Sequence, residues 1–159
     1  MMGENGARSD YERVLDELRA IAVSKPVRPG ATLSDSESFQ EDYATAEGKL
    51  RAARCFVHDA WGDVETEIAR GNPMGQRQIT LIRLALMNVT NVGVEVCNFA
   101  FRASGGSGLR AGALQRCVRD MQAGAQHLLV SQMILRDCGI ELLGRAEGRV
   151  WATMGLIKR

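Results

Sequence analysis

The chain has 159 residues, of which 45% are hydrophobic and 25% charged, with a formal net charge of +1. That length provides for one domain with a proper core, and the balanced charge excludes a strong field drawing it to nucleic acid or an anionic membrane. No uninterrupted apolar run approaches the ~18 residues needed to cross a bilayer, and the start, Met1-Met-Gly-Glu-Asn-Gly-Ala-Arg8, lacks the apolar centre of a signal peptide. A cytoplasmic location is the expectation.

Taken in chain order, Tyr11, Val14, Leu15, Leu18, Ile21 and Ala22 recur at helical spacing over residues 10–23. Pro26 and Pro29-Gly30 then forbid continuation, because proline lacks the backbone donor and clashes with the preceding turn. Ser34 or Asp35 reads as the N-cap of the next helix, with acids at 35 and 37 suited to its first turn. Phe39, Tyr43, Ala46, Leu50, Ala53, Val57, Trp61, Val64 and Ile68 follow in steps of three and four, predicting one long amphipathic helix. Gly71-Asn72-Pro73 ends it. A third helix is predicted over 75–102, with Ile79, Ile82, Leu86, Val89, Val96 and Phe99 on one face. After Gly105-Gly106-Ser-Gly108, a fourth is predicted from about 112 to 136. No segment alternates with period two between turn signals, so no strand is expected. The fold class is all-α, an antiparallel up-and-down four-helix bundle. The expected organisation is one domain, with 1–30 as first helix and connector, 34–144 as core bundle and 145–159 as tail.

The cysteines, Cys55, Cys97, Cys117 and Cys138, form no close pair of the kind zinc requires. Each lies in an apolar helical pattern and reads as a buried, reduced small hydrophobe. His58 reads as structural.

The chemistry concentrates between residues 102 and 144. Arg116, Asp120, Ala123 or Gly124 and His127 fall at steps of three and four, one stripe of a continuous fourth helix. Arg119 and Gln126 form the adjoining stripe, and Ala123-Gly124-Ala125 would admit a close neighbour or a flat ligand. By themselves these residues have plain readings also: a surface Arg–Asp pair worth well under ~1 kcal/mol, a structural histidine, and a flexible glycine connection. The glycine segment could equally present N–H groups at a helix start to an anion such as pyrophosphate.

In order, Gly105-Gly106, Leu114-Gln115-Arg116, Arg119-Asp120, His127, Gly139 and Leu142-Leu143-Gly144 resemble the C-terminal helical domain of the acyl-CoA dehydrogenase superfamily. The likeness is to the type 2 branch, which includes the oxygenase components of two-component flavin-dependent monooxygenases. Upstream, Gly6-Ala7-Arg8, Leu18, Ala22 and Lys25 resemble the helix that follows the family's β-domain, and Ala46-Glu47 with Leu50 to Arg54 the start of its second long helix. The resemblance implies a flavin, FAD or reduced FMN, approached by Ser104, Gly105, Gly106, Arg116 and Arg119. It implies a homo-oligomer (dimer or tetramer), a flavin reductase partner and a small-molecule substrate.

Many acyl-CoA dehydrogenases carry a catalytic glutamate a few residues after the Arg-Asp pair, and no acid lies between Asp120 and Arg136 here. The resemblance therefore implies a monooxygenase in which His127 hydrogen-bonds the oxygenated flavin or helps deprotonate a phenol. Imidazole suits either task, since it donates and accepts near neutral pH. The alternatives are a dehydrogenase proper, with Glu12 or Glu17 as base, and a non-catalytic oligomerisation module. The family's N-terminal helical domain and middle β-domain have no counterpart in these residues, so the chain alone is expected to be inactive. No role is assigned to the tail after Gly144.

Overall fold

The computed structural model describes residues 10–110 and 112–159. The chain is all-α in class, with α1 at Asp10–Ser24, α2 at Glu37–Ala69, α3 at Gln76–Ser104, α4 at Ala113–Gly124 and α5 at Gln132–Leu142. It divides into two compact units, one built from Met1–Leu50 with Val92–Ala123 and the other from Arg51–Asn91 with Gly124–Arg159.

In the first unit, α1 buries Val14, Leu15, Leu18 and Ala22, positions that helical periodicity places on one stripe. Leu18, fully buried, joins Phe39, Cys97, Ala100 and Leu114 in one cluster, and Leu15 joins Ala46, Leu50 and Val96 in another. Each such aliphatic side chain contributes about 1.5–3 kcal/mol through its removal from water. The Tyr43 hydroxyl donates to the Leu15 carbonyl at 3.1 Å, and the Phe39 and Phe99 rings stack with centroids 6.1 Å apart.

α1 ends where Pro26 begins a short antiparallel hairpin, β1 (Pro26–Arg28) and β2 (Ala31–Thr32), turned by Gly30 at φ 76°. The Lys25 N–H closes the helix on the Ile21 carbonyl and its own carbonyl accepts from Leu33, both at 2.8 Å. The expected cap at Ser34 or Asp35 is displaced. Thr32 starts a 3-10 turn over Leu33–Asp35, and Ser36 directly precedes α2. The Asp35 carboxylate accepts from the Thr32 N–H at 2.7 Å and the Thr32 hydroxyl at 2.9 Å. Those bonds, the backbone one first, hold its carboxyl below the ordinary value.

In the second unit, Met87, Ile134 and Cys138 form the core, with Leu84, Val130 and Trp151 packed against it. Here the tail makes a second hairpin, β3 (Arg149–Ala152) paired antiparallel with β4 (Gly155–Lys158), Trp151 opposite Leu156. No strand was expected, and there are two hairpins among the described residues. Strands of two to four residues are too short for a period-two signal to rise above chance.

The predicted fourth helix is also corrected. α4 stops at Gly124, a turn and a 3-10 segment (Leu128–Val130) follow, and α5 starts at Gln132, so five α-helices are described instead of four. Glycine flanked by alanines offers the helix little packing and costs about 0.5–1 kcal/mol there, while His127 adopts extended backbone at φ −66°, ψ 137°. On α2, Trp61 and Ile68 are exposed although periodicity had placed them inside, Cys55 is exposed although it had been read as buried, and His58 is exposed as well.

Contrary to the apolar-run reading, Gln76–Leu109 is long and apolar enough to cross a membrane by length and composition, with a mean hydropathy of 1.3 in its best window. Within α3, Ala85, Met87, Val96, Cys97 and Ala100 are buried, whereas Leu86 is exposed.

Candidate functional site

Gly105-Gly106-Ser107-Gly108 does not open the next helix. It extends α3 as a 3-10 turn over Gly105–Leu109, whereas α4 begins only at Ala113. The turn therefore lies at the negative, carbonyl-rich end of a helix and not at the anion-binding start of one. A cation answers it: the Lys25 ammonium donates to the Ala103 carbonyl at 3.0 Å. Glycine is favoured at 105 by its φ of 57°, and a Cβ there would displace the mobile end of the Lys25 side chain, 2.9 Å away at Nζ. Ser104 is fully buried, and its hydroxyl donates to the Phe101 carbonyl at 2.7 Å. Gly106 has open space around its Cα. Lys25 had no assigned role from sequence, since its partner lies 78 residues away.

Arg116 and Asp120 line one cavity of about 160 Å³ together with Arg13, Cys97, Cys117 and Met121. Asp120 pairs with its neighbour Arg119 at 3.7 Å, both well exposed, a contact worth little in water. Pockets that enclose a cofactor start at roughly 300 Å³. The surface around Arg116 thus offers a wall and not an enclosure. Two exposed guanidinium groups on one helix, Arg116 and Arg119, do suit the phosphate of a flavin nucleotide, because guanidinium donors match its oxygens in pairs.

Ser104, Gly105, Gly106, Arg116 and Arg119 all belong to the first unit and His127 to the second. His127 does not continue the stripe of Arg116 and Asp120, because helical phase ends at Gly124. It caps the following 3-10 turn, its Nδ1 accepting from the Leu129 N–H at 3.2 Å, and its ring is exposed.

A polar cluster that sequence reasoning missed fixes the tail. Arg83 donates to the Ala152 carbonyl at 2.8 Å and stacks 4.4 Å from the Trp151 ring centre. Trp151 Nε1 donates to the Thr80 hydroxyl at 2.9 Å. The buried Asp137 accepts from the Leu156 N–H at 2.8 Å. Cys138 lies beside them, and burial first, with help from the Asp137 and Glu141 carboxylates, pushes its thiol up to about 11.

A family profile described as the acyl-CoA dehydrogenase C-terminal domain matches residues 12–132. The indole-3-acetate monooxygenase of Pseudomonas putida is 31% identical over 133 residues, which cover 82% of this chain and 34% of that protein. The chain thus spans about a third of that relative's length. The ordered glycine, Arg-Asp and Leu-Leu-Gly positions, the helical fold and the profile match agree: the chain belongs to the acyl-CoA dehydrogenase family, as its C-terminal domain.

Proposed function

We propose that this domain serves a flavin-dependent monooxygenase acting on a small aromatic acid, with FAD or reduced FMN as cofactor. The observation that carries this reading is the lack of an acid where a dehydrogenase keeps its base, in a chain similar overall to a monooxygenase. Residues Met121 to Leu135 contain no aspartate or glutamate, and the similar protein is by name an indole-3-acetate monooxygenase. Without a carboxylate there, proton abstraction from an acyl thioester lacks a base in that stretch, whereas oxygen insertion needs hydrogen bonding and exclusion of water.

When bound, the flavin supplies the activation of dioxygen. The chain's own residues would hold and orient. Arg116 and Arg119 would pair with the flavin phosphate, the open side of the turn at Gly106 would let the flavin ring approach closely, and Ser104 would keep that turn in place. His127 would contact the substrate. Homo-oligomerisation, a separate reductase that delivers reduced flavin, and a cytoplasmic setting complete the reading.

The experiment supplies the protein carrying this domain with reduced FMN or FAD, indole-3-acetate and ¹⁸O₂, and reads the product by mass spectrometry. One labelled oxygen atom in the product is the expected result. Reduction of an artificial acceptor by acyl-CoA, with no label incorporated from indole-3-acetate, would sink the reading in favour of a dehydrogenase.

A further inference from the structure

Three hydrogen bonds fix His127. Its N–H donates to the Gly124 carbonyl at 3.0 Å and its own carbonyl accepts from the Val130 N–H at 2.9 Å. Its Nδ1 accepts from the Leu129 N–H at 3.2 Å. A neutral imidazole carries one proton, and the nitrogen that accepts a hydrogen bond is not the one that bears it. The proton is therefore on Nε2, and the residue is exposed.

We propose that His127 is a preset hydrogen-bond donor through Nε2, that its counterpart is a carboxylate oxygen of the substrate, and that it does not act as a base. To take a proton at Nε2 the ring would have to move its own proton to Nδ1. That would break the bond to Leu129 and strip the cap from the 3-10 turn. A phenol hydroxyl seeking an acceptor thus finds none, whereas a carboxylate finds a donor, and hydrogen bonds to charged acceptors are roughly twice as strong as neutral ones. The substrate half of the proposal rests on the oxygenase reading above; the tautomer half does not.

Two measurements test it. Long-range ¹H–¹⁵N spectra of the imidazole in this chain, under alkaline conditions that leave the ring neutral, are expected to show protonated Nε2 and bare Nδ1. A dominant Nδ1–H form overturns the proposal outright. The second compares wild type with His127→Asn in the flavin-supplied oxygenase. Asparagine keeps the cap, because its Oδ1 accepts from the same N–H, but places no donor where Nε2 lies. The KM for indole-3-acetate is expected to rise roughly 10- to 100-fold, the range for losing a bond to a charged group, with kcat nearly held. The KM for 3-methylindole, which lacks the carboxylate, should be unchanged. A collapse of kcat at constant KM, or equal losses for both compounds, overturns the donor role. If the tautomer is as stated but wild type inserts no oxygen into any aromatic acid, the oxygenase reading falls, and with it the substrate half alone.

Discussion

Replacing Gly155 by alanine should destabilise the second unit more than any solvent-exposed glycine in a turn would suggest. Gly155 sits at φ 142°, a region that L side chains rarely adopt, and such strain costs about 1–3 kcal/mol. A Cβ there would also lie 2.5 Å from the Asp137 Oδ2. That carboxylate cannot step aside freely, because Asp137 is 5% exposed and accepts from the Leu156 N–H. Displacing it weakens a charge-assisted hydrogen bond of about 1.5–3 kcal/mol. The sum for Gly155→Ala is about 2.5–6 kcal/mol, a large share of the ~5–15 kcal/mol that holds a typical domain together.

The decisive assay is a double-mutant cycle by equilibrium urea unfolding. Asp137→Ala alone leaves the Leu156 N–H without its acceptor and should cost about 2–3 kcal/mol. In the double mutant the collision no longer exists and the hydrogen bond is lost once, not twice. The combined loss should therefore fall short of the sum of the single losses by about 1–2 kcal/mol. Additivity within about 0.5 kcal/mol would show that the two residues do not share one contact, and the account of how the tail is anchored would be refuted.

Other expectations follow from the same geometry. Trp151→Phe keeps a ring under Arg83 but loses the bond to Thr80, so it should cost about 1 kcal/mol; Trp151→Ala should cost about 3–5 kcal/mol, and a loss in urea unfolding as small as that of the phenylalanine variant would deny the ring its packing role. Gly105→Ala should cost about 1–3 kcal/mol through its positive φ alone, while Gly106→Ala, with nothing within 4 Å of the new methyl, should be near neutral; thermal melts of the two variants check the contrast. With its thiol raised from the ordinary 9.0 to about 11, Cys138 should resist maleimide at mildly alkaline pH while the exposed Cys55 reacts. Because folding favours the protonated Cys138, its stabilising effect is complete below pH 9 and is lost as pH rises through about 11; unfolding midpoints that stay flat across that window would contradict the burial of this group.

Much of the helical frame could be read from spacing, because the helices that carry the core repeat apolar residues over several turns. Val14, Leu15, Leu18 and Ala22 face inward as predicted, and the breakers at Pro26 and Gly71-Asn72-Pro73 stop α1 and α2 as expected. Periodicity failed where packing is not local. Trp61 and Ile68 obey the repeat on α2 yet remain exposed, since the pattern states which face is apolar and not what covers it. The tail hairpin was invisible because its anchors are remote: Trp151 bonds Thr80 across 71 positions. The Lys25 cap on α3 escaped notice for the same reason. The family motif survived these errors, because it depends on the order and type of residues and not on the conformation assigned between them.

The break after Gly124 changes what joins Arg116 to His127. On one continuous helix their spacing would place both on a single stripe, and the sequence would fix their geometry by itself. Helical phase ends at Gly124, so the three-and-four spacing carries no information beyond that residue. What the local sequence does fix is the ring of His127, through the Leu129 amide that its Nδ1 caps. The stretch from Met121 to Leu135 thus combines the lack of an acid with a histidine whose Nδ1 is already engaged. A glutamate returned to this stretch, at Leu128 or Leu129, would not restore proton abstraction in a helical frame, because the backbone there is a capped 3-10 turn. Conversion to a dehydrogenase would require rebuilding the turn as well as adding the acid. A Leu128→Glu variant that oxidises acyl-CoA with no other change would show that the turn does not matter to the chemistry.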